Sequence, residues 1–139
     1  MTLTQAQRAV VVDASVAIPF LQGDPDWRER WAGWIKSGDL VLVPPHFPWE
    51  VANALLRGTT IKSVAHVVAL VQDLFATGFE VADRGLRGME SAVRLAGEHD
   101  LTVYDAAYLD LAIDVDGGLA TADRKLLAAA KAEAVPVIG

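Results

Sequence analysis

A chain of 139 residues, 53% hydrophobic and 22% charged, is long enough to bury one core and too apolar to remain disordered. It contains no cysteine, which excludes disulfides and thiolate zinc sites and suits a reducing, cytoplasmic setting. Its net charge of −6 excludes a general affinity for nucleic acid, so any such role needs local basic patches or cations that offset the carboxylates.

The opening stretch MTLTQAQRAVVVDASVAIPF is interrupted by Asp13. It therefore reads as neither a secretory signal nor a spanning helix, which needs about 18 apolar residues, and no membrane role is expected. Residues 9–12 form an apolar run too short for a helix, hence a buried strand. A short helix over 15–21 follows, its length left open by Pro19. GDPDWRERWAGWIKSG predicts a stronger helix: Asp24 caps it, Pro25 takes the first position and Gly38 closes it. Trp27, Trp31, Trp34 and Ile35 share one of its faces.

DLVLVPP supplies a second strand over 40–43, stopped by the paired prolines. Pro48 opens a helix through WEVANALLRG. Another helix is predicted from about residue 61 to 76, with Val64, Val67, Val68, Val71, Leu74 and Phe75 inward. FEVAD gives a third strand, residues 86–98 a helix with Met89, Val93 and Ala96 inward, and residues 104–113 a further helix. GLATAD, RKLLAAAKAE and VPVI add a strand, a helix and a fifth strand. Strands alternating with helices predict a parallel sheet covered on both faces, in one domain over residues 1–139 without repeats or linkers.

Asp13 follows the first strand and Asp123 the fourth, so both stand at carboxyl ends, where open α/β sheets place their sites. Glu50 lies in the first turn of the helix after the second strand, on the same rim. Asp105 opens the helix at VYDAAY, whose placement nothing local fixes. Singly, each acid also reads as a helix cap or a first-turn acid meeting the helix dipole. Together in one crevice they would repel and raise one another's pKa values, a cost that a hard divalent cation removes. Oxygen-only ligands select Mg²⁺ or Mn²⁺ over zinc.

Four segments in order, VVVDAS, PWEVANALL, LTVYDAAYLDLA and LATADRKLLAAA, resemble the PIN-domain nucleases, and among them the VapC-type ribonuclease toxins of type II toxin–antitoxin systems. The resemblance spans nearly the whole chain. It implies a three-layer α/β/α sandwich around a parallel sheet of about five strands and a Mg²⁺- or Mn²⁺-dependent endoribonuclease acting on RNA. It also implies a homodimer and a cognate, VapB-like antitoxin. The family's acids fall on Asp13, Glu50, Asp105 and Asp123, as metal ligands and catalytic residues. Ser15, Asn53 and Thr121 are implied to hydrogen-bond around them. Asp110, five residues after Asp105, points away from it around a helix and reads as a solvated acid outside the set.

The −6 lies wholly in residues 63–139, where twelve Asp/Glu face six Lys/Arg; residues 1–62 balance six against six. Arg28, Arg30, Lys36, Arg57 and Lys62 are therefore candidates for phosphate contacts, beside a plainer reading as solvated helix surface. Arg124 and Lys125 adjoin Asp123. His46, His66 and His99 lack ligand spacing and read as structural or surface residues. The tryptophans, all between residues 27 and 49, read as core packing or as the lining of a groove for an antitoxin helix among the helices from Asp24 to Leu74. DVDGG lacks the remaining ligands of a calcium loop and reads as a turn, and no phosphate-binding glycine motif is present. The alternative from another class is a receiver-like signalling or partner-binding module with an acidic Mg²⁺ pocket. It would need adjacent acids after the first strand, a phosphoacceptor Asp after the third and a lysine after the fifth.

Overall fold

The computed structural model describes residues 7–58 and 63–138. Strand β1 (Ala9–Val12) runs into helix α1 (Ala14–Leu21), then α2 (Pro25–Lys36) and β2 (Leu40–Val43). Helices α3 (Phe47–Arg57) and α4 (Val64–Ala76) lead to β3 (Glu80–Val81). Helices α5 (Gly85–His99) and α6 (Val103–Asp114) precede β4 (Gly118–Ala120) and α7 (Arg124–Ala132). Lys62 and the start expected for the fourth helix near Ile61 lie outside the described residues; Ser63 caps α4 by accepting from the His66 amide.

All described pairings are parallel, in the order β3-β2-β1-β4. Val10 stands between Val41 on β2 and Gly118 on β4, which fixes the register at the centre of the sheet. Val10, Val11 and Val12 are fully buried, as a strand covered on both faces requires. The chain moves outward from β1 to β2 and β3, then returns past β1 to lay down β4. With right-handed crossovers this puts the last helices on the face opposite the first ones, giving three layers. The order also differs from the 2-1-3-4-5 arrangement of receiver folds.

The expected fifth strand shrinks to a single bridge between Val137 and Leu119. Leu119 N donates to the Pro136 carbonyl at 2.9 Å and Ile138 N to the Leu119 carbonyl at 2.9 Å. Pro136 has no N–H of its own to extend the ladder. Pro19, by contrast, does not shorten α1: it sits inside the helix, and its carbonyl accepts from Asp24 N at 2.9 Å across the turn at Gly23.

Two helix faces differ from expectation. On α4 the buried residues are Val67, Leu70 and Leu74, while Val64, Val68 and Phe75 are exposed. On α5 they are Gly88, Ala92, Leu95 and Ala96, with Met89 and Val93 in solvent. Both helices carry apolar residues on two overlapping stripes; α4 turns one of them to α3 and α1, and α5 turns its stripe of smaller side chains to α6. Trp31 and Trp34 enter the core, Trp31 stacking on Phe20 with ring centroids 4.3 Å apart, whereas Ile35 is exposed.

Candidate active site

Asp13 ends the buried strand β1 and is only 4% exposed. Its backbone caps α1, yet its side chain makes no capping bond. Both carboxylate oxygens are held sideways instead: Ser15 Oγ donates to Oδ1 at 2.6 Å and Thr121 Oγ1 to Oδ2 at 2.6 Å. The loop after β4 is thereby tied to the end of β1, and Asp123 N donates to Thr121 Oγ1 at 3.0 Å. Burial pushes the Asp13 carboxyl up to about 6, against the two hydroxyls and the Val16 amide that hold it down; the negative charge of Asp123 adds to the rise.

Glu50 stands in the first turn of α3, where Tyr108 Oη donates to its Oε1 at 3.1 Å. Burial raises its pKa, the tyrosine bond opposes this, and the charges of Asp105 and then Asp13 raise it further. Asp105 occupies the first turn of α6, whose cap is Thr102 rather than an acid. Asp123 does serve as a cap, its Oδ1 accepting from Leu126 N at 3.1 Å. Like-charge repulsion couples the four acids in a row: Asp123 acts on Asp13, and Asp105 and Asp13 act on Glu50. Among the described residues none of the four pairs with Lys or Arg.

The spacing of this row is open. Among the described residues, the one trio of His or acid side chains with ligand atoms all within 4.8 Å is Glu98, His99 and Glu133, outside the row. An open set of carboxylate oxygens fits Mg²⁺, which keeps several waters and takes one or two carboxylates directly. Asn53 is exposed, one turn after Glu50, and no hydrogen bond among the described residues ties it to the acids.

Tyr108, not singled out in the sequence, and His46, read there as a structural or surface residue, both join the site. Tyr108 is fully buried, three residues after Asp105 and so on the same side of α6; burial and the nearby Glu50 hold its hydroxyl protonated. His46 packs against Tyr104 and Tyr108, ring centroids 5.6 and 5.1 Å away, and its Nε2 is buried without a hydrogen bond, 4.0 Å from Glu50 Oε2. Burial lowers its pKa, which keeps the ring neutral at pH 7.

One expectation needs correction. Asp110 is not solvated: it is 4% exposed and accepts from Arg84 Nε and Nη2 at 3.1 and 3.0 Å. The candidate cations Arg28 and Arg30 are exposed and lie over the rings of Phe20 and Trp27 at 4.9 and 4.6 Å, and exposed Lys125 reaches Asp100 at 3.4 Å.

The PIN domain family model matches residues 10–132. The chain belongs to the PIN domain family. Membership indicates a nuclease, and the matched span contains all four acids. Among solved structures, PAE2754 from Pyrobaculum aerophilum is similar at 26% identity with a TM-score of 0.68, covering 88% of this chain and 84% of that one. VapC20 from Mycobacterium tuberculosis, described as a toxin that cleaves the sarcin-ricin loop, matches at 20% identity and TM-score 0.67 over 86% and 94%. VapBC2 from Rickettsia felis, bound to a DNA fragment from its promoter, matches at 11% identity and TM-score 0.70 over 94% and 97%. A search of curated proteins finds no match. No helix among the described residues is long and apolar enough to cross a membrane.

The hydroxyls on Asp13 can be tested directly. Thr121→Val removes a bond that holds the carboxyl down, so the titration of Asp13 by carboxyl NMR in chelator should move above about 6. An unmoved titration would deny the hydroxyl its role.

Proposed function

We propose that this PIN domain is a Mg²⁺- or Mn²⁺-dependent endoribonuclease toxin, restrained by a cognate antitoxin. The observation that carries the reading is the row Asp123, Asp13, Glu50 and Asp105, drawn from four segments of the chain and lacking any Lys or Arg partner among the described residues. Such a row is costly unless a cation offsets it.

In this reading Asp13 is the central ligand, with Asp105 and Asp123 completing the set directly or through water. A hard divalent cation held there would supply charge for the phosphoryl oxygen and would make water a better nucleophile. Ser15 and Thr121 fix both Asp13 oxygens, so the carboxylate cannot swing back to cap α1. Tyr108 occupies Glu50 Oε1 and leaves Oε2 to join the cation shell or to orient the attacking water. Water adds to phosphorus, the bond to the 3′ oxygen breaks, and the products carry a 5′-phosphate and a 3′-hydroxyl. Purified protein incubated with mixed cellular RNA should cleave only with Mn²⁺ or Mg²⁺ present and Asp13 intact; equal cleavage by Asp13→Asn would defeat the reading.

For the antitoxin, the exposed apolar residues Trp49 and Leu56 on α3 and Val64 and Val68 on α4 support a helix-binding face. This narrows the sequence-based groove, because Trp31 and Trp34 are interior. Co-purified antitoxin should slow amide exchange across α3 and α4; protection confined to α5–α7 would place the partner elsewhere. Family resemblance extends the reading to a homodimer, whose mass sedimentation would report.

A further inference from the structure

A cavity of about 270 Å³ opens beside the row of acids without including any of them. Its floor and walls come from Pro44, Pro45 and His46 ahead of α3, Met89 on α5 and Tyr104 on α6, with Arg84 at one side. The exposed lining is mostly apolar, with Asp83, Arg84 and Asp110 as its charged members. Two of its residues also belong to the surroundings of the acids: Tyr104 immediately precedes Asp105, and His46 lies one helical turn before Glu50. Tyr104 is 66% exposed, and its ring leans on that of His46 at 5.6 Å.

We propose that this cavity receives one unstacked nucleobase of the RNA strand, next to the phosphate held at the acids. The inference rests on the nuclease reading and adds a base subsite to it. Three features choose the occupant. The chain around the acids is negative, so the part of RNA that can approach an apolar wall there is the neutral base rather than the phosphate. The cavity is at the small end of ligand sites, sized for a single flat group rather than for a helix. Its exposed aromatic face, the Tyr104 ring leaning on that of His46, offers the stacking by which single strands are held without sequence-wide readout. Arg84 contributes little charge to the visitor, because its guanidinium is already committed to Asp110 and Asp114. The pocket therefore selects shape and stacking at one position.

The test uses single-stranded oligoribonucleotides with the intact chain. Asp13→Asn serves as a non-cleaving binder, and each position flanking the cut is replaced in turn by an abasic residue. One abasic position should weaken binding about tenfold, the loss expected for one stacked base. In the Asp13→Asn background, Met89→Trp, which fills the mouth of the cavity from a residue 63% exposed, should remove that difference, and Tyr104→Ala should do the same. In otherwise wild-type protein both substitutions should raise KM more than they lower kcat and should flatten base preference at that position in a randomised pool. Uniform tolerance of abasic residues, or unchanged preference in both variants while cleavage still needs metal and Asp13, overturns the base pocket alone. So does a Met89→Trp protein that handles RNA normally but escapes the antitoxin, which would make the cavity a protein-binding pocket. Absence of any metal- and Asp13-dependent cleavage by the unaltered protein would instead remove the nuclease reading beneath it.

Discussion

Asp13→Asn is expected to abolish cleavage and, at the same time, to make the protein harder to unfold in chelator at pH 8. The catalytic loss should be about a thousandfold, since removing the central ligand forfeits roughly 4 kcal/mol of charge stabilisation. The stability gain follows from the sign of the pKa shift. The folded carboxyl titrates at about 6, above the ordinary value of 3.8, so folding favours the protonated form. Its contribution is complete below about pH 4, fades between 4 and 6, and is absent above. Ionised Asp13 at pH 8 therefore costs about 3 kcal/mol relative to its protonated form. Asparagine avoids that cost and can still accept from Ser15, so its melting temperature should exceed the wild type's at pH 8 and match it near pH 4. Adding Mg²⁺ should raise the melting temperature of the wild type and leave the variant's unchanged. A variant destabilised at pH 8, or one equally responsive to Mg²⁺, would mean that Asp13 is a structural carboxylate.

That trade-off explains why a run of valines ends on an acid. VVVDAS was legible because both clues are local: the apolar run sets the strand, and a carboxylate immediately after it must stand at the sheet's carboxyl rim. Asp123 was legible for the same reason, although the structure shows that it also caps α7. Glu50 and Asp105 needed more. Their meeting depends on α6 crossing toward α3 so that Tyr108 reaches Glu50, a contact between residues 58 apart that no periodicity encodes. Tyr108 itself lay within reach of pattern, three residues after Asp105. Asn53 is exposed on α3, one turn after Glu50.

The helix faces were less legible than the strands. On α4 and α5 apolar residues occur on the buried stripe (Val67, Leu70 and Leu74; Ala92, Leu95 and Ala96) and also on its neighbour, so the spacing allowed two faces. Packing against neighbouring helices, α3 and α1 for α4 and α6 for α5, resolved the choice and left Phe75, Met89 and Val93 in solvent. Those exposed residues are surplus to the core, and in a chain of this size they are the natural material for binding partners. Asp110 illustrates the opposite error. It sits about 140° around the helix from Asp105 at 100° per residue, which is why it read as solvated. Its partner Arg84 lies 26 residues upstream on another element, and only the packing of α5 on α6 brings the two together.

Arg84→Ala should consequently be among the most destabilising single changes available outside the aliphatic core, costing about 3 kcal/mol or more. Asp110 is 4% exposed and takes both of its charge-assisted bonds from that one guanidinium, which also reaches Asp114 at 3.2 Å. Truncation leaves a buried carboxylate with no counter-charge among the described residues. For a domain of this size the melting temperature should fall by about 10 °C. The pair is not itself the source of that much stability. Arg84→Met combined with Asp110→Leu removes both charges and should recover most of the loss, because the desolvation cost disappears with the attraction. Gly88→Ala should resemble Arg84→Ala, since a Cβ there would collide with the Arg84 side chain and drive it off Asp110. The consequence reaches the site, because α6 carries Asp105 and Tyr108 at one end and Asp110 and Asp114 at the other. Loosening the far end should broaden the Glu50–Tyr108 contact and raise the metal concentration needed for half-maximal cleavage. If the double variant is as unstable as Arg84→Ala, the ion pair is contributing net stability instead, and α6 is positioned by its charges rather than by its packing on α5.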